Sequence, residues 1–320
     1  MTRVAAIDCG TNSIRLLVAD VSADSANGDG RPTLRDVHRE MRIVRLGQGV
    51  DATGLLAREA LERTRAALAD YTTRLRDAGA QRVRMVATSA IRDAGNRDDF
   101  FAMVLDTLGA EAEVISGDTE ARLSFTGAVG DLDPSDGPFV VVDVGGGSTE
   151  LVLGEWDGAA PRVHAARSVD IGCVRITERC LHSDPPTPAE VAAARELARD
   201  VLAEAFDAVP VASARTWVGV AGTVTTLFAV ARRLPSYEPA AIHLGRLSRA
   251  EVADVAQELA SLPRERRAAF GAMHPGRVDV IGGGALIVDV LAEELAVRAG
   301  ITELVVSEHD ILDGIALSLA

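Results

Sequence analysis

The sequence contains no lysine: all 33 of its basic residues are arginine. That excludes a lysine-based phosphate loop, a pyridoxal Schiff base and a Ser–Lys dyad. Any bound phosphate must be held by arginine, backbone N–H groups and a metal. Cysteine is also scarce. Cys9, Cys173 and Cys180 are odd in number and share no CxxC spacing, so neither a disulfide framework nor a cysteine zinc site is expected. Aromatic residues make up 3% of the chain, too few for platforms that stack single-stranded nucleic acid. No apolar run approaches the roughly 20 residues of a membrane span. Asp8 interrupts the first apolar stretch, residues 4–7, so no leader peptide is expected and the protein reads as cytoplasmic. The 33 basic residues are outnumbered by 47 acidic ones, a net charge of −14, which argues against nucleic acid or a membrane surface as partner.

What is present supports a folded enzyme-sized chain. At 320 residues and 48% hydrophobic, it has the length of about two domains and enough apolar residues for real cores. The acid is concentrated. Residues 101–160 hold twelve Asp or Glu against one arginine, Arg122, so 1 − 12 = −11 of the net charge lies there. Asp131, Asp133 and Asp136, around Pro134, read as a solvated turn; the other carboxylates are candidates to hold a cation.

Expected strands at 4–7, 14–19, 41–46, 83–88, 114–115, 139–144, 151–153, 218–221 and 304–306 alternate with helices at 55–78, 98–108, 120–128, 187–208 and from Ser248. Apolar residues 278–281 lead into a glycine turn at Gly282, Gly283 and Gly284, followed by a helix to about Ala299, and Ser307 is expected to cap a last helix. Thr187-Pro188-Ala189-Glu190 is a capping box with proline at the first helical position. Strand and helix alternate in both halves, which makes the class α/β.

The most informative feature is a self-match at an offset of 143 − 8 = 135. IDCGTNSIRLLV (7–18) aligns with VDVGGGSTELVL (142–153), with identity at Asp8/Asp143, Gly10/Gly145, Ser13/Ser148 and Leu16/Leu151. Each copy is a strand, an Asp, a glycine turn with hydroxyls, and a strand. Glycines let the backbone approach an anion and successive N–H groups form an anion-binding concavity. Thr11, Ser13, Ser148 and Thr149 add hydroxyl donors. An Asp at the strand end repels phosphate unless a metal lies between them, which makes Asp8 and Asp143 metal candidates. The copies differ at Arg15 against Glu150. Asp143 and Glu150 thus offer two carboxylates near one loop, so the second hairpin is expected to carry more of the metal.

These residues resemble the two phosphate loops of the actin–hexokinase–Hsp70 superfamily, and within it the Ppx/GppA family of exopolyphosphatases and guanosine pentaphosphate phosphatases. Resembling stretches run through nearly the whole chain: IDCGTNSIRLL (7–17), RLGQGVDATGLL (45–56), ATSAIRDAGN (87–96), ISGDTEARLSF (115–125), VVDVGGGSTELVLG (141–154), VAGTVTTL (220–227) and GRVDVIGGGALI (276–287). The resemblance is to the short, two-domain members. It implies two ribonuclease H-like domains, 1–126 plus 301–320 and 127–300, with substrate in an interdomain cleft. It implies hydrolysis of a terminal phosphate, with Glu120 as base for the attacking water and Asp143 and Glu150, with Asp8, on Mg²⁺ (or Mn²⁺). Phosphate contacts fall on Gly10, Thr11, Asn12, Ser13, Arg92, Gly145, Gly146, Gly147, Ser148, Gly222, Thr223 and Arg277. A homodimer is the oligomer the family suggests. Two departures stand out: Thr119 replaces a glutamate beside Glu120, and Leu312 replaces an arginine before Asp313-Gly314.

The leading expectation is an exopolyphosphatase acting on inorganic polyphosphate. The alternatives are a guanosine pentaphosphate 5′-phosphohydrolase and a non-catalytic alarmone-binding sensor; an ATP-using kinase of the same superfamily is disfavoured by the intact Glu120 segment. Gly47 to Ala52 fits a dinucleotide fingerprint only superficially, since Thr53-Gly54 precede the helix and no strand-end acid follows about 20 residues on. The six histidines show no metal-ligand spacing, and Cys9 is not flagged as a nucleophile. Arg264, Arg266 and Arg267 could line a polyphosphate channel, but read more simply as a solvated helix end.

Overall fold

The glycine turn after Asp8 folds the chain back on itself. In the structure, a computed structural model describing residues 1–22 and 33–320, β1 (Thr2–Cys9) and β2 (Ser13–Ser22) form an antiparallel hairpin. β3 (Thr33–Ile43) adds antiparallel to β2, while β4 (Arg82–Ala87) and β5 (Ala112–Val114) continue in parallel on the other side of β1. The order is β3-β2-β1-β4-β5. Side chains alternate across the sheet with period two. Ala5, Ile7, Cys9, Ile14, Leu16 and Val18 face the helices Arg58–Asp77 and Arg97–Leu108, through Leu68, Tyr71, Phe100 and Val104. Val4, Ala6, Leu17 and Ala19 face the opposite way, onto Ile311, Leu312 and Ile315 of the C-terminal helix Ile311–Leu317. Burial on both faces explains why β1 and β2 read as continuous apolar runs.

The second sheet repeats this plan. β6 (Phe139–Val144) and β7 (Thr149–Trp156) form the hairpin, and β8 (Pro161–Val169), which the sequence reading missed, lies beyond β7. β9 (Thr216–Val220) runs parallel to β6. β10 (Arg246–Ser248) and β11 (Glu303–Val306) complete the order β10-β11-β9-β6-β7-β8. Leaving out β10, both sheets share one arrangement: third, second and first strands of a meander, then two parallel strands. The fold is therefore a duplicated, ribonuclease H-like α/β unit, as expected.

The compact units are residues 1–130, 157–161 and 310–320, and residues 131–156 and 162–309. The expected return to the first domain at residue 301 is too early. β11 pairs with β9, Leu304 to Val306 facing Trp217 to Gly219, and only the helix that follows joins the first unit. Its cap is not Ser307, whose hydroxyl closes a local turn with His309, but Asp310, which forms a reciprocal capping box with Asp313. Gly282, Gly283 and Gly284 are likewise not a turn. They are the buried first turn of the helix Ile281–Ala299. A Cβ on Gly284 would lie 2.5 Å from Thr223 Cγ2 and 3.0 Å from Cys173 Cβ, so these glycines let three helix starts pack together.

Candidate active site

The two glycine turns close in the same way. Gly10 N–H donates to the Ser13 carbonyl at 2.9 Å, and Gly145 N–H donates to the Ser148 carbonyl at 3.0 Å. Each turn is braced through its carbonyls. Asn12 accepts from the N–H groups of Val44 and Arg45, at 3.0 and 2.9 Å, and Thr11 accepts from Gly47 at 2.8 Å. In the second unit, Gly145 accepts from Cys173 at 2.9 Å and Gly146 from Val174 at 2.8 Å, at the start of the helix Cys173–Cys180. Arg175 Nε holds the Gly147 carbonyl at 2.8 Å. With the carbonyls tied down, the turns present N–H groups. Among the described residues, the amides of Gly146 and Gly147 have no protein acceptor. Free N–H groups of this kind are the donors that an anion-binding concavity uses.

The turns differ in the charge of the residue that faces the Asp. Asp8 and Arg15 face each other across β1 and β2, in the register that places Asp143 opposite Glu150 across β6 and β7. Facing residues of an antiparallel pair lie on one side of the sheet with neighbouring side chains. Arg15 grips Asp8 Oδ2 through Nη2 at 2.7 Å and Nε at 2.9 Å, and its Nη1 donates to Asp310. Burial opposes the Arg15 charge, but the two carboxylates outweigh it and hold the guanidinium above its usual value. Asp8 therefore has a partner other than the metal expected for it: the residue in register supplies the positive charge. The second hairpin puts a second acid there. Asp143 and Glu150 are both buried, and Ser168 Oγ donates to Glu150 Oε1 at 2.7 Å. Two adjacent carboxylates, one oriented by an outer hydroxyl, suit a hard divalent cation such as Mg²⁺.

Glu120 lies in the first turn of the helix Gly117–Ala128, capped by Ser116. A solvated helix-start acid would be exposed. Glu120 is only 8% exposed and pairs with Arg92, whose Nη1 reaches Glu120 Oε2 at 2.7 Å and the Ile115 carbonyl at 3.1 Å. Two residues singled out separately in the sequence thus form one unit that orients the carboxylate.

Gly222, Thr223 and Arg277 also come together, at the start of the helix Ala221–Ala231. Ala221 has a left-handed backbone, φ +67°, unusual for a residue with a Cβ and a site of local strain. The Arg277 guanidinium lies directly over Gly222. A Cβ there would be 2.0 Å from Arg277 Nη2, and Arg277 Nη1 donates to Thr226 Oγ1 at 3.1 Å. Thr223 packs beside Cys173 and Gly284, so this side chain, the buried thiol and the helix start meet at one place. Burial pushes the Cys173 and Cys9 thiols up, away from the reactive thiolate.

The chain matches the family described as the Ppx/GppA phosphatase family over residues 21–319. The chain belongs to the Ppx/GppA phosphatase family. It is 62% identical to a Mycobacterium tuberculosis protein named Exopolyphosphatase 2, over 100% of this chain and 99% of that one. A solved exopolyphosphatase-like protein is similar with a TM-score of 0.92 at 40% identity, covering 99% of this chain and 98% of that one. An Aquifex aeolicus member of the Ppx/GppA family is similar with a TM-score of 0.78 at 32% identity, covering 99% and 97%.

This Ppx/GppA chain gives both sequence departures a local setting. Thr119 Oγ1 lies 3.0 Å from Ser116 Oγ, so a hydroxyl pair at the cap stands where a second acid would adjoin Glu120. Leu312 is buried against β1 and β2, while Asp313 beside it takes Arg39 from β3, Nη2 to Oδ1 at 2.5 Å. Arg264, Arg266 and Arg267 do not form one solvated face: Arg267 is buried and reaches Asp184 at 3.1 Å, and Arg264 pairs with Asp279. The sequence reading missed the role of Arg15. Its signal was the one charge reversal in the repeat.

Proposed function

We propose that the protein is an exopolyphosphatase, hydrolysing the terminal phosphoanhydride of inorganic polyphosphate and releasing orthophosphate. The observation that carries this reading is the duplicated turn with its unlike charges: one loop with an internal Asp8–Arg15 pair, the other with the Asp143–Glu150 carboxylates. A polyanion needs N–H donors at both grips and a cation where its charge is densest. The name of the 62%-identical relative supports polyphosphate as the substrate.

In this reading Glu120 accepts the proton of a water whose oxygen attacks the terminal phosphorus. The new P–O bond forms as the anhydride bond breaks, and the departing chain oxygen takes the electron pair. Arg92 keeps the Glu120 carboxylate in position. The amides of Gly145, Gly146 and Gly147, with Ser148, bind equatorial oxygens. Gly10, Thr11, Asn12 and Ser13 do the same from the first turn, and Arg277 with Thr223 adds a charged contact. Asp143 and Glu150 would hold Mg²⁺ or Mn²⁺, which neutralises phosphate charge when bound. The helices of the described residues include none long and apolar enough to cross a membrane, and a cytoplasmic location is part of this proposal.

The test is orthophosphate release with Mg²⁺, comparing polyphosphates of several lengths with guanosine pentaphosphate. Release from polyphosphate is expected to dominate. Release confined to guanosine pentaphosphate would move the function to alarmone turnover. Nucleotide binding without release from either would make the protein a sensor.

A further inference from the structure

The second unit holds a cluster of ligating side chains that the site above does not use. Asp131 precedes β6, His243 follows the short helix Pro239–Ile242, and His309 follows β11, yet the three meet. His243 Nε2 lies 3.3 Å and His309 Nε2 3.4 Å from the same oxygen, Asp131 Oδ2. The two imidazoles meet edge to face, 4.8 Å between ring centres at 88°. One ligating atom from each residue lies within 4.8 Å of the others.

The spacing favours a shared ion over simple hydrogen bonds. N–H···O bonds centre near 2.9–3.0 Å, so both contacts are long. Two ligand atoms each about 2.0–2.1 Å from a tetrahedral zinc ion stand roughly 3.3–3.4 Å apart, which is the separation found for both imidazole–carboxylate pairs. The donor set points the same way. Two imidazole nitrogens and one carboxylate oxygen suit a first-row transition ion, whereas Mg²⁺ prefers oxygen.

We propose that Asp131, His243 and His309 bind a divalent transition-metal ion of the zinc class, at a site other than the Asp143–Glu150 pair. The Glu308 N–H donates to His243 Nδ1 at 3.2 Å. Coordination through Nε2 places the ring proton on Nδ1 and gives up that long bond, so the site binds more weakly than a four-ligand structural zinc centre. The Asp131 carboxylate is exposed, which leaves water a coordination position. Asp131 and His309 are the first and last residues of the second unit. The ion is therefore a clip joining the two ends of that unit's chain, and binding stabilises the fold by mass action.

The test uses the full chain, freed of metal with a chelator and titrated with Zn²⁺ against a chromophoric competitor. One equivalent is expected to bind and to raise the melting temperature. His243→Ala, His309→Ala and Asp131→Asn each weaken binding at least ~10-fold and abolish the thermal shift. Asp143→Asn keeps the equivalent. With Co²⁺ in place of zinc, visible d–d bands appear without a thiolate charge-transfer band. Should either histidine variant fail to fold, Asp131→Asn, at an exposed side chain, still decides the matter. Absence of zinc binding, wild-type affinity in the variants, loss of the equivalent with Asp143→Asn, or a thiolate band each overturns the proposal.

Discussion

One reversal of charge distinguishes the two glycine turns. Where Arg15 stands opposite Asp8, Glu150 stands opposite Asp143, in the same register of the same hairpin. The first turn carries its cation as a side chain; the second presents two buried acids. Asp143→Asn should therefore raise the Mg²⁺ concentration for half-maximal rate at least ~10-fold while leaving the melting temperature near wild type. A metal titration of the rate checks this, and an unchanged requirement would place the ion elsewhere. The carboxylate pair was legible in the sequence because hairpin register follows from a short turn. The Arg92–Glu120 pair was not, since 28 residues separate its members and the pairing of β4 with β5, Ala87 beside Val114, brings together the segments that carry them.

Elements set how far these side chains can be trusted to stay in place. The C-terminal helix packs against the Glu120 helix at backbone contact: a Cβ on Gly314 would lie 2.0 Å from the Leu123 carbonyl oxygen, which cannot move alone. Gly314→Ala should cost about 1–3 kcal/mol or more of stability, seen as a lower thermal midpoint. In the second unit, the capping box expected at Thr187 forms, and Ser248, expected to open a helix, heads a second such box. Their glutamates accept from the caps. The Thr187 N–H is the main cause that lowers Glu190 to about 2, and Arg232 followed by the Ser248 N–H lowers Glu251 to about 2. Both folded values lie below the ordinary 4.5. The stabilisation is thus complete above about 4.5 and is lost as pH falls toward about 2. Glu190→Gln and Glu251→Gln should melt below wild type at neutral pH, and the gap should close in acid. The box at Asp310 escaped the sequence reading because Asp at both ends is a rarer form of the S/T-x-x-E pattern. The glycine run 282–284 was misjudged because glycine signals a turn more often than a tightly packed helix start.

At the scale of the whole molecule, the duplication visible in twelve residues extends to two sheets of one topology. The alternation of strand and helix gave the class, and the repeat gave the equivalence of the two hairpins. The domain border near residue 301 was misplaced because the last strand and last helix, adjacent in sequence, serve different units. That choice is made by strand pairing at long range, which local pattern does not encode. The central claim is that this duplicated scaffold hydrolyses a phosphate chain with Glu120 as the base. The most direct test is the steady-state rate of orthophosphate release from polyphosphate, with saturating Mg²⁺, for wild type and Glu120→Gln. The account predicts that kcat falls by about 10²–10⁴-fold with KM nearly unchanged. Turnover by Glu120→Gln at the wild-type rate would contradict it.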